Sequence, residues 1–250
     1  MLATNAKLTE FVSRLKEVAG ANLLSVTLHG SAARGDFREG HSDLNVMCVF
    51  EKLPVEELGR LSGVVKWWCA EQQEPPPLLF TKEELLHSAD VFSIELLDMK
   101  SSRKVLYGED VVAGIEVSMN LHRVQLEHEL RTVVLKLRQH YLRTSGNGHE
   151  LTPVLRKSFS GVLVMLRHVV MAFGETAPAS AHEVIARAAA LTGSSAAAFD
   201  QAMELRETGK LQGELARFFG EYVASLDKVI RALDAHAPKR EWRRVKNANS

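Results

Sequence analysis

Two cysteines in 250 residues, Cys48 and Cys69, each among apolar neighbours, leave no room for a disulfide framework. Neither has a partner at metal-ligand spacing, so a cysteine-based zinc site is excluded too. Both are expected to be reduced core thiols of a cytoplasmic protein. No apolar run approaches the ~18 residues that would span a bilayer. Residues 1–7 lack the charged-then-apolar order of a secretory leader, so export is not expected. There is no internal repeat, and the only low-complexity stretch is Pro75-Pro76-Pro77. A Gly-x-x-x-x-Gly-Lys-Ser/Thr loop, a His-Glu-x-x-His helix and a Gly-x-Ser-x-Gly elbow are all missing, which removes three common enzyme classes.

The net charge is zero, so no single-sign field marks the whole chain for a polyanion or a membrane surface. The balance hides an asymmetry. Residues 1–114 hold 12 Lys+Arg against 17 Asp+Glu, and residues 115–250 hold 19 against 14. An acidic half beside a basic half suits a metal-and-nucleotide site facing an anion-binding partner domain, but from charge alone two differently charged solvated surfaces are the favoured reading. With 46% apolar residues, the length suits two modest domains.

Periodicity divides the chain near residue 114. Before it, helical spacing over 7–19 is followed by an apolar strand at 23–29, a glycine-containing polar segment, and a strand at 43–50. A helix is expected over 54–73, a short strand at 78–80, a helix opened by the capping-box pattern Thr81-Lys82-Glu83-Glu84, and a strand at 91–97 with Glu95 in its interior. After it, no stretch reads as a strand. Helices are expected over 117–144, 153–173, 181–191, 195–207 and 210–233.

The stretch that carries chemistry is Leu28-His29-Gly30-Ser31-Ala32-Ala33-Arg34-Gly35-Asp36, then Ser42-Asp43-Leu44-Asn45-Val46. A strand ends at Gly-Ser, a helix begins, and a second strand opens with Asp-x-Asn. Gly30 lets a phosphate approach the backbone with no Cβ in the way. Ser31 offers a hydroxyl and backbone N–H groups at a helix start. Residues 43 and 45 share a strand face. With Glu95 from a neighbouring strand they form an oxygen donor set for Mg²⁺ bound to phosphates.

These residues resemble the polymerase-beta-like nucleotidyltransferase superfamily, whose pattern is Gly-Ser, a spacer, then Asp-x-Asp/Glu between apolar residues. The resemblance covers roughly residues 20–112, with Glu95 as the third carboxylate, and Asp98 as its alternative. The helical remainder is similar in architecture to the helical domains of aminoglycoside nucleotidyltransferase relatives. The resemblance implies an α+β protein: a mixed β-sheet flanked by helices over 1–114, then an all-α helical bundle over 115–250. It further implies transfer of a nucleoside monophosphate from a nucleoside triphosphate to a hydroxyl of a small molecule or protein, with release of pyrophosphate. Asp43, Asn45 and Glu95 would hold Mg²⁺ or Mn²⁺, with Glu95 the alternative general base. Gly30 and Ser31 would hold phosphates, and Arg34 would neutralise developing charge. ATP is the expected donor, although nothing in the sequence selects the base, and the acceptor is unspecified.

Asn45 departs from the pattern, because it stands where a second carboxylate is expected and brings no negative charge. Asp36 and Glu39 are candidates to replace that charge. The rival reading is therefore a nucleotide-binding pseudoenzyme that senses nucleotides or assembles with a partner. His29 and His41 flank the motif as hydrogen-bonding neighbours, and Trp67 and Trp68 read as core residues. Four Arg/His pairs at ribonuclease-like spacing, including Arg231 and His236, are what chance gives among 18 arginines and ten histidines. The tail 239–246, basic around Trp242, reads first as a solvated terminus; RNA binding is its alternative. An apolar helix surface suffices for a homodimer, and no membrane contact is expected.

Overall fold

The computed structural model describes residues 2–34, 43–89 and 91–236. It is an α+β molecule that divides into two compact units, Met1–Ser118 and Met119–Ser250.

The first unit is built on a four-stranded mixed sheet of order β3-β2-β1-β4. Strand β1 (Leu23–His29) lies antiparallel to β2 (Asn45–Phe50) and to β4 (Arg103–Gly108), while β2 runs parallel to β3 (Leu78–Thr81). Alternation along β2 sends Val46, Cys48 and Phe50 to one face and Met47 and Val49 to the other. Helix α1 (Leu2–Ala19) covers the first face with Phe11 and Leu15, four residues apart and fully buried, joined by Leu61 and Val64 of α3 (Val55–Lys66). Helix α3 runs on into a π turn, Trp67–Glu71, which buries Trp68 against Phe11 and lets its Nε1–H donate to Pro75 O at 2.9 Å. The opposite face carries α4 (Lys82–Leu86) through Leu85, and α5 (Ser93–Ser101) through Leu96 and Met99. The capping box at α4 forms as its pattern predicts: Glu84 N donates to Thr81 Oγ1, and Thr81 N donates to Glu84 Oε2.

Two expectations are corrected. Residues 91–97 are not a strand: α5 occupies Ser93–Ser101, and Glu95 is an exposed residue of its first turn. Its buried residues Ser93, Ile94, Leu96 and Met99 fit a helix lying on a sheet, whereas an interior strand position would have buried Glu95 as well. The sheet's remaining strand is instead β4, whose opening Arg103 and Lys104 suit an edge exposed to water. Strand β2 also starts at Asn45, so Asp43 lies just before it.

The second unit, among the described residues, consists of α6 (Met119–Arg143), α7 (Gly148–Ala172), α8 (Ala181–Thr192), α9 (Ala196–Thr208) and α10 (Leu215–Ala235). The last begins at Leu215 rather than at 210. Side-chain caps at Ser180 and Ser195 and left-handed glycines at Gly193 and Gly209 set the ends of α8 and α9. The core includes a ring cluster in which Tyr222 stacks on Phe218 and meets Phe159 and Phe199. None of these helices, nor any other among the described residues, is long and apolar enough to cross a membrane.

His122 of α6 and His168 of α7 are fully buried in this core, their rings edge-to-face with centroids 5.0 Å apart. Burial, and to a smaller degree His168, push the His122 pKa down from 6.5 to about 4. The unfolded chain therefore binds a proton on this residue at a higher pH than the folded one. Stability from the neutral ring is complete above pH 6.5 and is lost as pH falls from there through about 4. Replacing His122 by Gln should flatten the fall in urea-unfolding free energy between pH 6.5 and 4, by up to about 3 kcal/mol; an unchanged slope would contradict a neutral buried His122. At Gly108, φ is +73° and an added Cβ would meet Leu24 O at 1.8 Å, whereas at Gly20, φ +55°, it would meet nothing within 4 Å. Gly108→Ala should cost at least about 2 kcal/mol in urea unfolding, and Gly20→Ala about 1; equal costs would show that the β4–β1 approach is not as close as described.

Candidate functional site

The antiparallel register pairs His29, the last residue of β1, with Asn45, the first of β2. This brings the turn after β1 against the Asn45 side chain. Gly30 has φ +75°, and a Cβ there would lie 3.1 Å from Asn45 Nδ2. The position thus requires glycine twice over, for its backbone conformation and for the space the amide occupies. Helix α2 (Ser31–Arg34) follows as a single turn, in which Ala33 and Arg34 N–H groups donate to Gly30 O. With so short a helix, the open backbone at Gly30 matters more to an anion than a macrodipole does. Only the backbone of Ser31 is described.

The entry to β2 is held from a distance. Leu44 N–H donates to Glu74 Oε2 at 2.9 Å, and Lys7 Nζ donates to Glu74 Oε1 and to Gln72 O, both at 3.1 Å. Glu74 is nearly buried, so this charge-assisted clamp ties Asp43 and Asn45 to α1 and to the segment after the π turn. Sequence reasoning missed it. The signal available was a lone Glu between a helix end and a proline run, which carries no spacing rule.

Of the two carboxylates on α5, the structure brings Asp98 to the motif. Its Oδ2 lies 3.8 Å from Arg34 Nη1, and it is near enough to His29 to raise that ring's pKa. Burial outweighs it and, with help from Arg34, holds the His29 pKa below the usual value. The His29 Nε2 atom is buried with no hydrogen-bond partner. Glu95, one turn earlier, lies instead at an apolar cavity formed with β2 and β3. Beyond Arg34, a cleft of about 620 Å³ continues along Lys100 and Arg103 to Asp110. Arg103 is fixed there by a bidentate pair with Asp110, whose hydrogen bonds hold the Asp110 carboxyl below the usual range.

Asp43 is exposed, and Asn45 supplies an amide oxygen in place of a charge. Among the described residues, no three His, Cys, Asp or Glu side chains gather to hold a metal ion. The described residues by themselves do not fit a protein-built two-metal centre, which needs several carboxylates. Asp36, Glu39, His41 and the tail 239–246 lie outside the described residues.

The fold has a solved counterpart. Spectinomycin adenyltransferase AAD(9) from Enterococcus faecialis, crystallised with ATP and spectinomycin, matches with a TM-score of 0.52 at 13% sequence identity, covering 90% of this chain and 99% of that one. The chain shares the fold of that adenyltransferase. No protein-family model matches the sequence, and no curated protein matches it. The likeness is therefore one of fold; in this chain Asn45 packs on Gly30, and Asp98 reaches the adjoining Arg34.

If Gly30 and Asn45 are packed as described, Gly30→Ala should cost about 1–3 kcal/mol, and its cost should shrink in an Asn45→Ala background, where the amide is gone. Strictly additive costs in urea unfolding would mean that the two residues do not touch.

Proposed function

We propose that the chain transfers a nucleoside monophosphate from a nucleoside triphosphate to a hydroxyl group, releasing pyrophosphate. The observation that carries this reading is the close approach of Asn45 to an open Gly30 at the end of β1, in a nucleotidyltransferase fold. ATP is the donor of choice, since AAD(9) was crystallised with it. It would arrive as its Mg²⁺ or Mn²⁺ complex, with most of the cation's ligands supplied by the phosphates. Residues 1–114 bind this donor.

In this reading Gly30 and Ser31 face the phosphates, while Asp43 and the Asn45 amide oxygen orient the cation-bearing side of the donor. Arg34 leaves Asp98 for the phosphates, where its guanidinium offsets charge that develops as pyrophosphate departs. Asp98, released from Arg34, accepts the acceptor's proton as its hydroxyl oxygen bonds to the α-phosphorus. Glu95, one turn away on α5, orients the acceptor.

A second reading, a nucleotide-binding pseudoenzyme, is favoured by one specific observation: the site presents an amide where a second carboxylate would activate the acceptor. Calorimetric titration of ATP, GTP, CTP and UTP, with and without Mg²⁺, separates a working donor site from none. Cation-dependent micromolar binding of one triphosphate, about −8 kcal/mol, is expected. Transfer activity appearing only in Asn45→Asp would establish the pseudoenzyme; a wild type that is already active and merely improved would exclude it. No binding of any triphosphate would overturn both.

A further inference from the structure

The cavity beside Glu95 is unlike the rest of the site. It encloses about 140 Å³ between Met47 of β2, Phe80 of β3, and Phe92 and Leu96 at α5, and its lining is almost wholly apolar. Phe80 and Phe92 meet edge-to-face at 5.8 Å, giving one end a fixed aromatic wall. Phe92 remains 41% exposed, so the cavity opens at that side. The polar groups on its wall are Ser88, whose hydroxyl donates to Glu84 O, and Glu95.

Its position ties it to the candidate site. Alternation puts Asn45 and Met47 on the same face of β2, two residues and about 7 Å apart. The cavity therefore lies one side-chain step from the amide packed against Gly30, under the helix that also brings Asp98 to Arg34. Its size and lining decide what it accepts. A dry cavity of about 150 Å³ lined by aliphatic and aromatic side chains takes up a benzene ring. A nucleobase of similar size would bury ring nitrogens and exocyclic groups with almost no partners, at a cost of roughly 1–3 kcal/mol for each.

We infer that this cavity anchors the acceptor, and that the acceptor is a small alcohol or phenol bearing a hydrocarbon group of about benzene size. The inference rests on the transfer reading above. With the ring seated between Phe80 and Leu96, the attached hydroxyl emerges beside Glu95 and faces the Asn45 end of the sheet. Its oxygen then forms the bond to the α-phosphorus, its proton passes to a carboxylate of α5, and pyrophosphate leaves with the electrons of the broken P–O bond.

Benzyl alcohol is a direct probe. Titrated into the full chain with ¹³C-methyl-labelled methionine, it should saturably shift Met47 and Met99. Leu96→Phe, which fills the cavity, should weaken that binding at least tenfold while changing Mg·ATP affinity less than twofold. Ser88→Leu, at a half-buried position, serves the same purpose should the core variant unfold. In AMP transfer from ATP, benzyl alcohol should outperform methanol at least tenfold. Mg·ATP binding with Met47 and Met99 unmoved by benzyl alcohol would overturn this inference and leave the donor site standing. Benzyl alcohol binding to a chain that takes no triphosphate would remove the transfer reading, and the acceptor role with it.

Discussion

The antiparallel pairing of β1 with β2 is the constraint on which the candidate site depends. Setting His29 opposite Asn45 makes the chain reverse at Gly30 directly against the Asn45 amide. The hydrophobic alternation of β2 holds that register, since a slip of one residue would drive Val46, Cys48 and Phe50 off α1 and α3 and onto the other face. The Glu74 clamp adds a second restraint at the point where the chain enters β2. Packing thus sets where the turn lies, and Gly30 permits its backbone conformation.

The electrostatics of the site follow from which helix lies on the sheet face. Because α5 covers the face that carries Asn45, it delivers two carboxylates to different places. Asp98 goes to the polar end with Arg34 and His29, and Glu95 goes to the apolar end with Phe80 and Leu96. In the proposed reaction, a site with one exposed carboxylate at residue 43, an amide at 45 and an ion-paired aspartate at 98 would lean on the donor's own cation and phosphates for charge balance. In the cleft wall of Arg34, Lys100 and Arg103, Arg103 is fixed by Asp110 and Lys100 by Ile115 O.

Much of this was legible in the sequence. The Gly30-Ser31 to Asp43-x-Asn45 spacing pointed to the fold that the AAD(9) likeness bears out, and the capping box at Thr81 placed α4 to the residue. Helices α6 to α10 were readable because long amphipathic periods leave little ambiguity. The misreading at 91–97 has a physical cause. Helix α5 has Phe92 at its N-cap position, which offers no side-chain hydrogen bond, and Phe-Ser-Ile-Glu-Leu-Leu is as apolar and branched as a strand. Strand β4 was missed for the opposite reason, since Arg103-Lys104 resembles a loop until its place at the sheet edge is known. Which α5 carboxylate reaches the motif, and that Glu74 holds β2 in place, depend on tertiary contacts with no sequence period.

In the proposed function, the Gly30–Asn45 contact faces a nucleoside triphosphate. This is tested most directly by following the Gly30 backbone and Asn45 side-chain amide resonances during a Mg·ATP titration. Both should shift together and saturate at micromolar concentration, and the Gly30 response should be lost in Asn45→Ala. Saturable binding that leaves both resonances unmoved would place the nucleotide elsewhere and contradict the account.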